Sequence, residues 1–253
     1  MPFTHTFLIL VFLLYGSLIH AATLRVATAS NFSDTLKQLA PLFKQASDHD
    51  LRISAASSGK LYAQIRHGAP YDLFFSADAA RPVALEEEGL SVMGSRVTYA
   101  VGQLALWSPN ANNPNTVRAL LESGKFRRLA LANPKTAPYG VAALETLKRL
   151  NISPSLSDSA ARGENIGQTF QFVATGNADI GFVALSQLRQ GHIDASQFWI
   201  IPHQYYQPIQ QQAVILKHSS NKPVAELFLR FIQSPAAREI LLVSGYQVED
   251  SSK

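Results

Sequence analysis

Short apolar runs alternate with amphipathic segments along most of the chain. Apolar runs at residues 24–29, 51–56 and 71–75 predict three strands. Between them, apolar residues recur three or four positions apart, which predicts helices; Pro41 interrupts the first helix and predicts a bend or a later start. This β-α-β-α-β order favours a parallel sheet covered by helices, and the chain is therefore predicted to be an α/β protein.

A second group of strands and helices follows. The apolar run at residues 97–107 is too long for one interior strand, so we interpret it as a strand that passes from one lobe to another. The apolar run at 129–132 and helix starts at Pro138 and Asn165 predict a second α/β lobe. The apolar run at 213–216 is the predicted return crossing, before two C-terminal helices. The predicted bounds are residues 23–102 and 210–253 for lobe one, and residues 103–209 for lobe two.

The N-terminus carries an apolar run of another kind. Residues 7–19 are almost uninterruptedly apolar and precede His20-Ala-Ala22. Such a run is short for a membrane span but has the length of the core of a signal peptide, and small residues follow it, as cleavage requires. We therefore predict a signal peptide over residues 1–22 and an exported protein. Residues 1–6 contain no Lys or Arg, so a retained N-terminal anchor stays an alternative.

Composition narrows the function classes. Hydrophobic residues make up 47% of the chain and charged residues 16%, which indicates a globular protein with a large core. The formal net charge of +4 suits anionic ligands, but no stretch concentrates it enough to predict nucleic-acid binding. The absence of cysteine excludes disulfides and thiolate metal sites. Without a phosphate loop, a nucleophile elbow or histidines at ligand spacing, we expect neither an enzyme nor a cofactor or cation site.

Small polar residues occupy the predicted strand-to-helix junctions. Ligands of open α/β sheets bind at the carboxyl ends of strands, and free N–H groups at a helix start suit a small anion. We interpret Ser58 as a helix N-cap, and Asp72 and Asp78 as structural carboxylates. The four candidate junctions are Ser30-Asn31 and Ser57-Ser58-Gly59 in lobe one, and Pro138-Tyr139-Gly140 and Asn165-Ile166-Gly167 in lobe two.

One stretch resembles a known family. Ala56-Ser-Ser, Gly68-Ala-Pro, Asp72-Leu-Phe and Ser76-Ala-Asp resemble the periplasmic molybdate-binding proteins, the substrate-binding subunits of molybdate ABC importers, and the similarity runs from about Leu24 to the C-terminus. It implies the type II periplasmic binding protein fold, in which two α/β lobes joined by two crossing strands enclose a ligand cleft. It also implies a monomeric periplasmic protein that captures molybdate, and tungstate as well, and delivers it to a membrane ABC permease.

The same resemblance implies five ligand residues. Ser30 and Ser58 match the hydroxyl ligands of lobe one, and Asn31 matches a neighbouring amide donor seen in part of the family. Tyr139 and Ile166 fall where backbone N–H groups of lobe two bind the anion. The metal would be bound only as its oxyanion, without direct ligands to a cation.

Two questions stay open at the level of sequence. Some members of the family have a ligand-contacting tyrosine where this chain has Ala184, so either Asn31 supplies the missing donor or the pocket differs in size or affinity. Another small oxyanion, such as sulfate or phosphate, is an alternative ligand. An exported hydrolase that uses Ser58 as its nucleophile is the alternative from another class.

Overall fold

The computed structural model describes residues 21–248, whose strands form two separate five-stranded sheets. The predicted signal peptide lies outside the described residues, apart from Ala21 and Ala22. Within residues 21–248, the helices are all too short or too polar to cross a bilayer.

Ten strands make up the two sheets. They are β1 (Thr23–Ala29), β2 (Asp50–Ala56), β3 (Leu73–Ser76), β4 (Val97–Gly102), β5 (Leu104–Trp107), β6 (Leu129–Ala132), β7 (Ala161–Gly163), β8 (Ile180–Ala184), β9 (Phe198–Ile200) and β10 (Ile209–Ile215). The first sheet has the order β2-β1-β3-β10-β4 and the second the order β7-β6-β8-β5-β9. In each sheet four strands run in one direction and one runs antiparallel to them, β10 in the first sheet and β5 in the second, so both sheets are mixed.

Ten α-helices cover these sheets. They are α1 (Ser33–Ser47), α2 (Ser58–Arg66), α3 (Ala80–Glu87), α4 (Pro114–Ser123), α5 (Pro138–Arg149), α6 (Pro154–Asp158), α7 (Ile166–Ala174), α8 (Leu185–Gln190), α9 (Lys222–Phe231) and α10 (Pro235–Val243). Helix α9 packs against the first sheet through Ala225, Phe228 and Leu229.

The passage between the sheets occurs at Gln103. The predicted single strand over residues 97–107 is two strands, β4 in the first sheet and β5 in the second, with Gln103 between them. The chain returns between β9 and β10. Apart from Ile209, the first residue of β10, the strands of the first sheet lie within residues 23–102 and 210–253, and those of the second lie within residues 103–209.

Two local expectations are corrected. Of the two alternatives at Pro41 the later helix start is wrong, because α1 begins at Ser33 and runs through Pro41. Pro41 lies on the exposed face of the helix, where water can bond the carbonyl that the missing N–H leaves free. The N-cap of α2 is Ser57, whose hydroxyl accepts from the N–H of Lys60 at 3.3 Å, and Ser58 is the first helical residue.

The buried carboxylate of Asp72 ties the first strand to the C-terminal segment. Its oxygens accept a hydrogen bond from the Arg25 N–H at 2.8 Å and one from the Ser219 hydroxyl at 2.6 Å, and the Arg25 guanidinium lies 3.7 Å away. Asp78 accepts from the N–H of Arg81 in the first turn of α3 and forms an ion pair with that side chain. These contacts support the structural reading of both carboxylates.

Replacement of Asp72 by alanine should destabilise the fold. Because Asp72→Ala leaves the Arg25 N–H and the Ser219 hydroxyl without their acceptor, we expect the free energy of unfolding to fall by about 3 kcal/mol in urea denaturation. Asp34→Ala is the control, since Asp34 forms an exposed ion pair with Lys37. Its effect should stay within about 0.5 kcal/mol, and equal losses in the two variants would contradict the role of Asp72.

Candidate functional site

The four predicted junctions meet where the two lobes face each other. The N–H of Gly167 at the start of α7 donates to Ser30 Oγ at 3.2 Å, across the lobes. The N–H of Gly59 in α2 donates to the carbonyl of Thr136, just before α5, at 2.9 Å. The lobes are therefore closed on each other in this structure.

Close approach of the backbones explains the glycine at position 59. A Cβ on Gly59 would lie 3.0 Å from Thr136 Cα and 3.1 Å from Thr136 O, both of them backbone atoms that cannot move independently. The Ser-Ser-Gly turn thus serves the contact between the lobes as well as the helix start.

Both candidate serines have a lone pair occupied and a proton free. Ser58 Oγ accepts from the N–H of Ala77 at 2.9 Å, and Ser30 Oγ accepts from Gly167. Neither hydroxyl has an acceptor for its proton among residues 21–248. Since a hydroxyl offers one proton and two lone pairs, the bond that it accepts favours orientations in which its O–H donates elsewhere.

Helices α2, α5 and α7 each leave one first-turn N–H without an acceptor in the described part of the chain. Their other first-turn N–H groups bond to the N-cap residues Ser57, Ala137 and Asn165 or to the opposite lobe, and Pro138 has no N–H. The unclaimed groups are the backbone N–H groups of Ser58, Tyr139 and Ile166, to which the N–H of Asn31 in lobe one adds a fourth.

Packing brings these groups together. Tyr139 and Ile166 of lobe two share one apolar cluster with Ala29 and Ala77 of lobe one. Ala29 precedes Ser30 and Asn31 in the chain, and the N–H of Ala77 donates to Ser58, so the loops that carry these three residues lie beside the cluster. Asn31, Ser58, Tyr139 and Ile166 are each at most 4% exposed. Buried N–H groups are seldom left unpaired, so these donors are candidates for binding an acceptor.

The side chain of Asn31 has a different set of partners from the one that the resemblance implies. Its Nδ2 donates to Gln211 Oε1 at 3.0 Å and to the Tyr246 hydroxyl at 3.2 Å, which uses both of its protons. Its Oδ1 is buried without a partner among the described residues. The free donor of Asn31 in this closed arrangement is therefore its backbone N–H.

Ala184 lies at the end of β8 and is fully buried in the same apolar cluster. Its N–H donates to Gln187 Oε1 at 3.0 Å, while Gln187 Nε2 donates to the Ile166 carbonyl at 3.1 Å. Gln187 therefore positions the start of α7, a role that sequence reasoning missed. It also missed Gln211, although three consecutive glutamines beside an apolar run were a usable signal.

The site is electrically neutral. Lys60 is exposed, and Arg81 is paired with Asp78. Burial raises the pKa of the Tyr139 and Tyr99 hydroxyls well above the ordinary value, which keeps both phenols uncharged. Within residues 21–248 no group of His, Asp and Glu side chains is arranged to hold a metal ion. The chemistry of the site is thus hydrogen-bond donation by uncharged groups.

Comparison with known proteins gives one consistent result. Residues 24–247 match the family model of bacterial extracellular solute-binding proteins. The chain is 40% identical to the molybdate-binding protein ModA of Azotobacter vinelandii, over 90% of this chain and 91% of that one. It is also 40% identical to ModA of Rhodobacter capsulatus, over 88% of this chain and 87% of that one.

A solved structure shows the same fold. The periplasmic molybdate-binding protein of Azotobacter vinelandii superposes with a TM-score of 0.85 and 40% identity, covering 90% of this chain and all of the other. The sulfate-binding protein SubI of Mycobacterium tuberculosis, at 12% identity and a TM-score of 0.69, shares the fold alone. The two-lobed type II architecture predicted from the sequence is confirmed, and the chain belongs to the bacterial extracellular solute-binding proteins, in the same family as the ModA proteins.

Proposed function

We propose that this protein captures molybdate, and tungstate as well, in the periplasm and delivers it to a membrane ABC permease. The observation that carries the proposal is the set of uncharged donors between the closed lobes: four backbone N–H groups and two serine hydroxyls. The names of the relatives support the choice of anion and compartment. Monomeric state and the absence of a nucleic-acid partner remain predictions.

The proposed ligand residues are Ser30, Asn31, Ser58, Tyr139 and Ile166. A hydrogen bond to a charged group contributes about 1.5–3 kcal/mol, so six donors supply roughly 9–18 kcal/mol before the costs of ordering and closure. Micromolar to nanomolar affinity needs about 8–12 kcal/mol. The neutral donor set is therefore sufficient for tight binding of a dianion without any Lys or Arg.

The proposed division into lobes explains how the anion is enclosed. Lobe one comprises residues 23–102 and 210–253, and lobe two comprises residues 103–209, which agrees with the membership of the two sheets. Each lobe contributes part of the donor set, so the complete set forms only on closure. The interlobe bond from Gly167 to Ser30 aligns one of the hydroxyls at the same moment.

Calorimetry on the mature protein tests the ligand. We expect molybdate and tungstate to bind with nanomolar to micromolar affinity, and sulfate and phosphate to bind at least about 100-fold more weakly. The longer metal–oxygen bonds make molybdate the larger anion, so a closed site of fixed dimensions can select by size. Tight binding of sulfate with no heat from molybdate would refute the assignment.

Removal of either hydroxyl should weaken binding without unfolding the protein. For Ser30→Ala and Ser58→Ala we expect the molybdate dissociation constant to rise about 10- to 100-fold, because each loses one bond to a charged ligand. Ser108→Ala is the matched control, since its buried hydroxyl donates to the Asp179 carbonyl at 2.9 Å in lobe two. A hydrolytic activity that disappears in Ser58→Ala would favour the hydrolase alternative instead.

Binding should be independent of pH from about 6 to 9. Backbone N–H groups and serine hydroxyls do not titrate in this range. The pKa of Tyr139 and of Tyr99 is raised by burial, so the neutral phenols persist to higher pH than in solution. Isothermal titration at several pH values would check this, and a steep loss of affinity between pH 6 and 9 would reveal an ionisable ligand group.

A further inference from the structure

Gln211 lies at an irregular point of the crossing strand β10. The register between β10 and β4 shifts between Gln211 and Gln212, and both side chains are buried. The irregularity adds one residue to β4, because Tyr99 has no partner on β10 between the pairs Gln211–Ala100 and Gln212–Thr98. The amide of Gln211, which is 0% exposed, lies beside this point and accepts from the Tyr99 hydroxyl.

The Gln211 amide joins a ligand loop of each lobe. Its Oε1 accepts from Asn31 Nδ2 at 3.0 Å and from the Tyr99 hydroxyl at 2.9 Å. Its Nε2 donates to the Tyr139 hydroxyl at 3.1 Å. Asn31 belongs to lobe one and Tyr139 to lobe two, and both are among the five proposed ligand residues.

The surrounding chain leaves space for this contact. Gly102 ends β4 immediately before the chain crosses to the second sheet, and a Cβ there would overlap both the Tyr139 hydroxyl and the Gln211 amide. Tyr246 holds the other side of Asn31, since its hydroxyl donates to the Asn31 carbonyl at 2.8 Å. The amide is therefore confined between groups that are themselves fixed.

We propose that Gln211 is a positioning residue that sets the spacing between Asn31 and Tyr139, and through them the affinity and size selectivity for the anion. This proposal rests on the proposed function. Gln211 binds both residues through their side chains, while their backbone N–H groups are the ones that face no protein acceptor. A planar amide with three hydrogen bonds fixes the distance between Asn31 and Tyr139. An apolar side chain makes none of these bonds, so that distance would vary.

The test compares two neighbouring buried glutamines. Gln211→Leu removes three hydrogen bonds, two of them within lobe one, to Asn31 and Tyr99, and one to Tyr139 of lobe two. Gln212→Leu removes two hydrogen bonds from the next residue of β10. These bonds join the Gln212 side chain to Arg96 and to the Thr98 hydroxyl, and they do not reach the site. For each protein we would measure the dissociation constants of molybdate and sulfate by calorimetry, the dissociation rate of molybdate by tryptophan fluorescence, and the melting temperature without ligand.

We expect Gln211→Leu to weaken molybdate binding about tenfold or more, to speed its dissociation, and to narrow the ratio between molybdate and sulfate affinities. Gln212→Leu should lower the melting temperature and leave that ratio as in the wild type. Equal ratios and equal molybdate affinities in wild type, Gln211→Leu and Gln212→Leu would overturn the proposal. If the wild type itself binds no oxyanion, the proposed function fails first, and this inference with it.

Tyr139→Phe keeps the test available if Gln211→Leu does not fold. It removes one hydroxyl and leaves the backbone N–H of Tyr139 in place, so it should shift molybdate affinity in the same direction by a smaller factor. Combined in one protein, the two changes should weaken binding by less than the product of their separate factors, because they act on one contact. Independent, multiplicative effects would count against a shared role.

Discussion

Buried donors without an acceptor are the constraint on which the centre of this molecule depends. An unpaired buried N–H costs about 1–3 kcal/mol, yet Asn31, Ser58, Tyr139 and Ile166 all present one where the lobes meet. An oxyanion bound at the proposed site would relieve this cost, because each of its oxygens accepts several hydrogen bonds. The same groups explain why the site can hold a charged guest with no opposite charge nearby, since the dipoles at helix starts favour an anion.

The lobes and the donors depend on each other. The interlobe bonds run from Gly167 to Ser30 and from Gly59 to Thr136. The residues that make them belong to, or lie next to, the same strand-to-helix junctions that supply the free donors. In the proposed binding cycle, closure would align the donors and exclude water in one step, and opening would expose the donors to water, which makes the binding reversible.

Ionised side chains are used elsewhere in the fold. Asp72 holds the first strand to the C-terminal segment, and Asp78 pairs with Arg81 at the start of α3. Because these charges are already satisfied by fixed partners, they leave the cleft neutral. This arrangement also keeps the site insensitive to protonation of the protein over the ordinary range of pH.

The sequence by itself determined the α/β class, the two crossings between lobes and the four junctions that contain the candidate residues. These features depend on local geometry, which neighbouring residues in the chain determine. Examples are the strand periodicity, Pro138 at a helix start and Asn165 as an N-cap. The resemblance added the anion and the role of each position. Even so, local patterns could not tell whether Ser57 or Ser58 caps α2, because either residue fits the turn.

Only the tertiary structure decided which atoms remain free to bind. The Asn31 amide is engaged by Gln211, which lies 180 residues further along the chain, and the Ser30 lone pair is engaged from the other lobe. Such partners are set by the packing of the two sheets and by the bulge at Tyr99 of β4, and no spacing along the chain encodes them. The sequence states which residue is polar. Which hydrogen bonds that residue makes depends on the residues that folding places beside it.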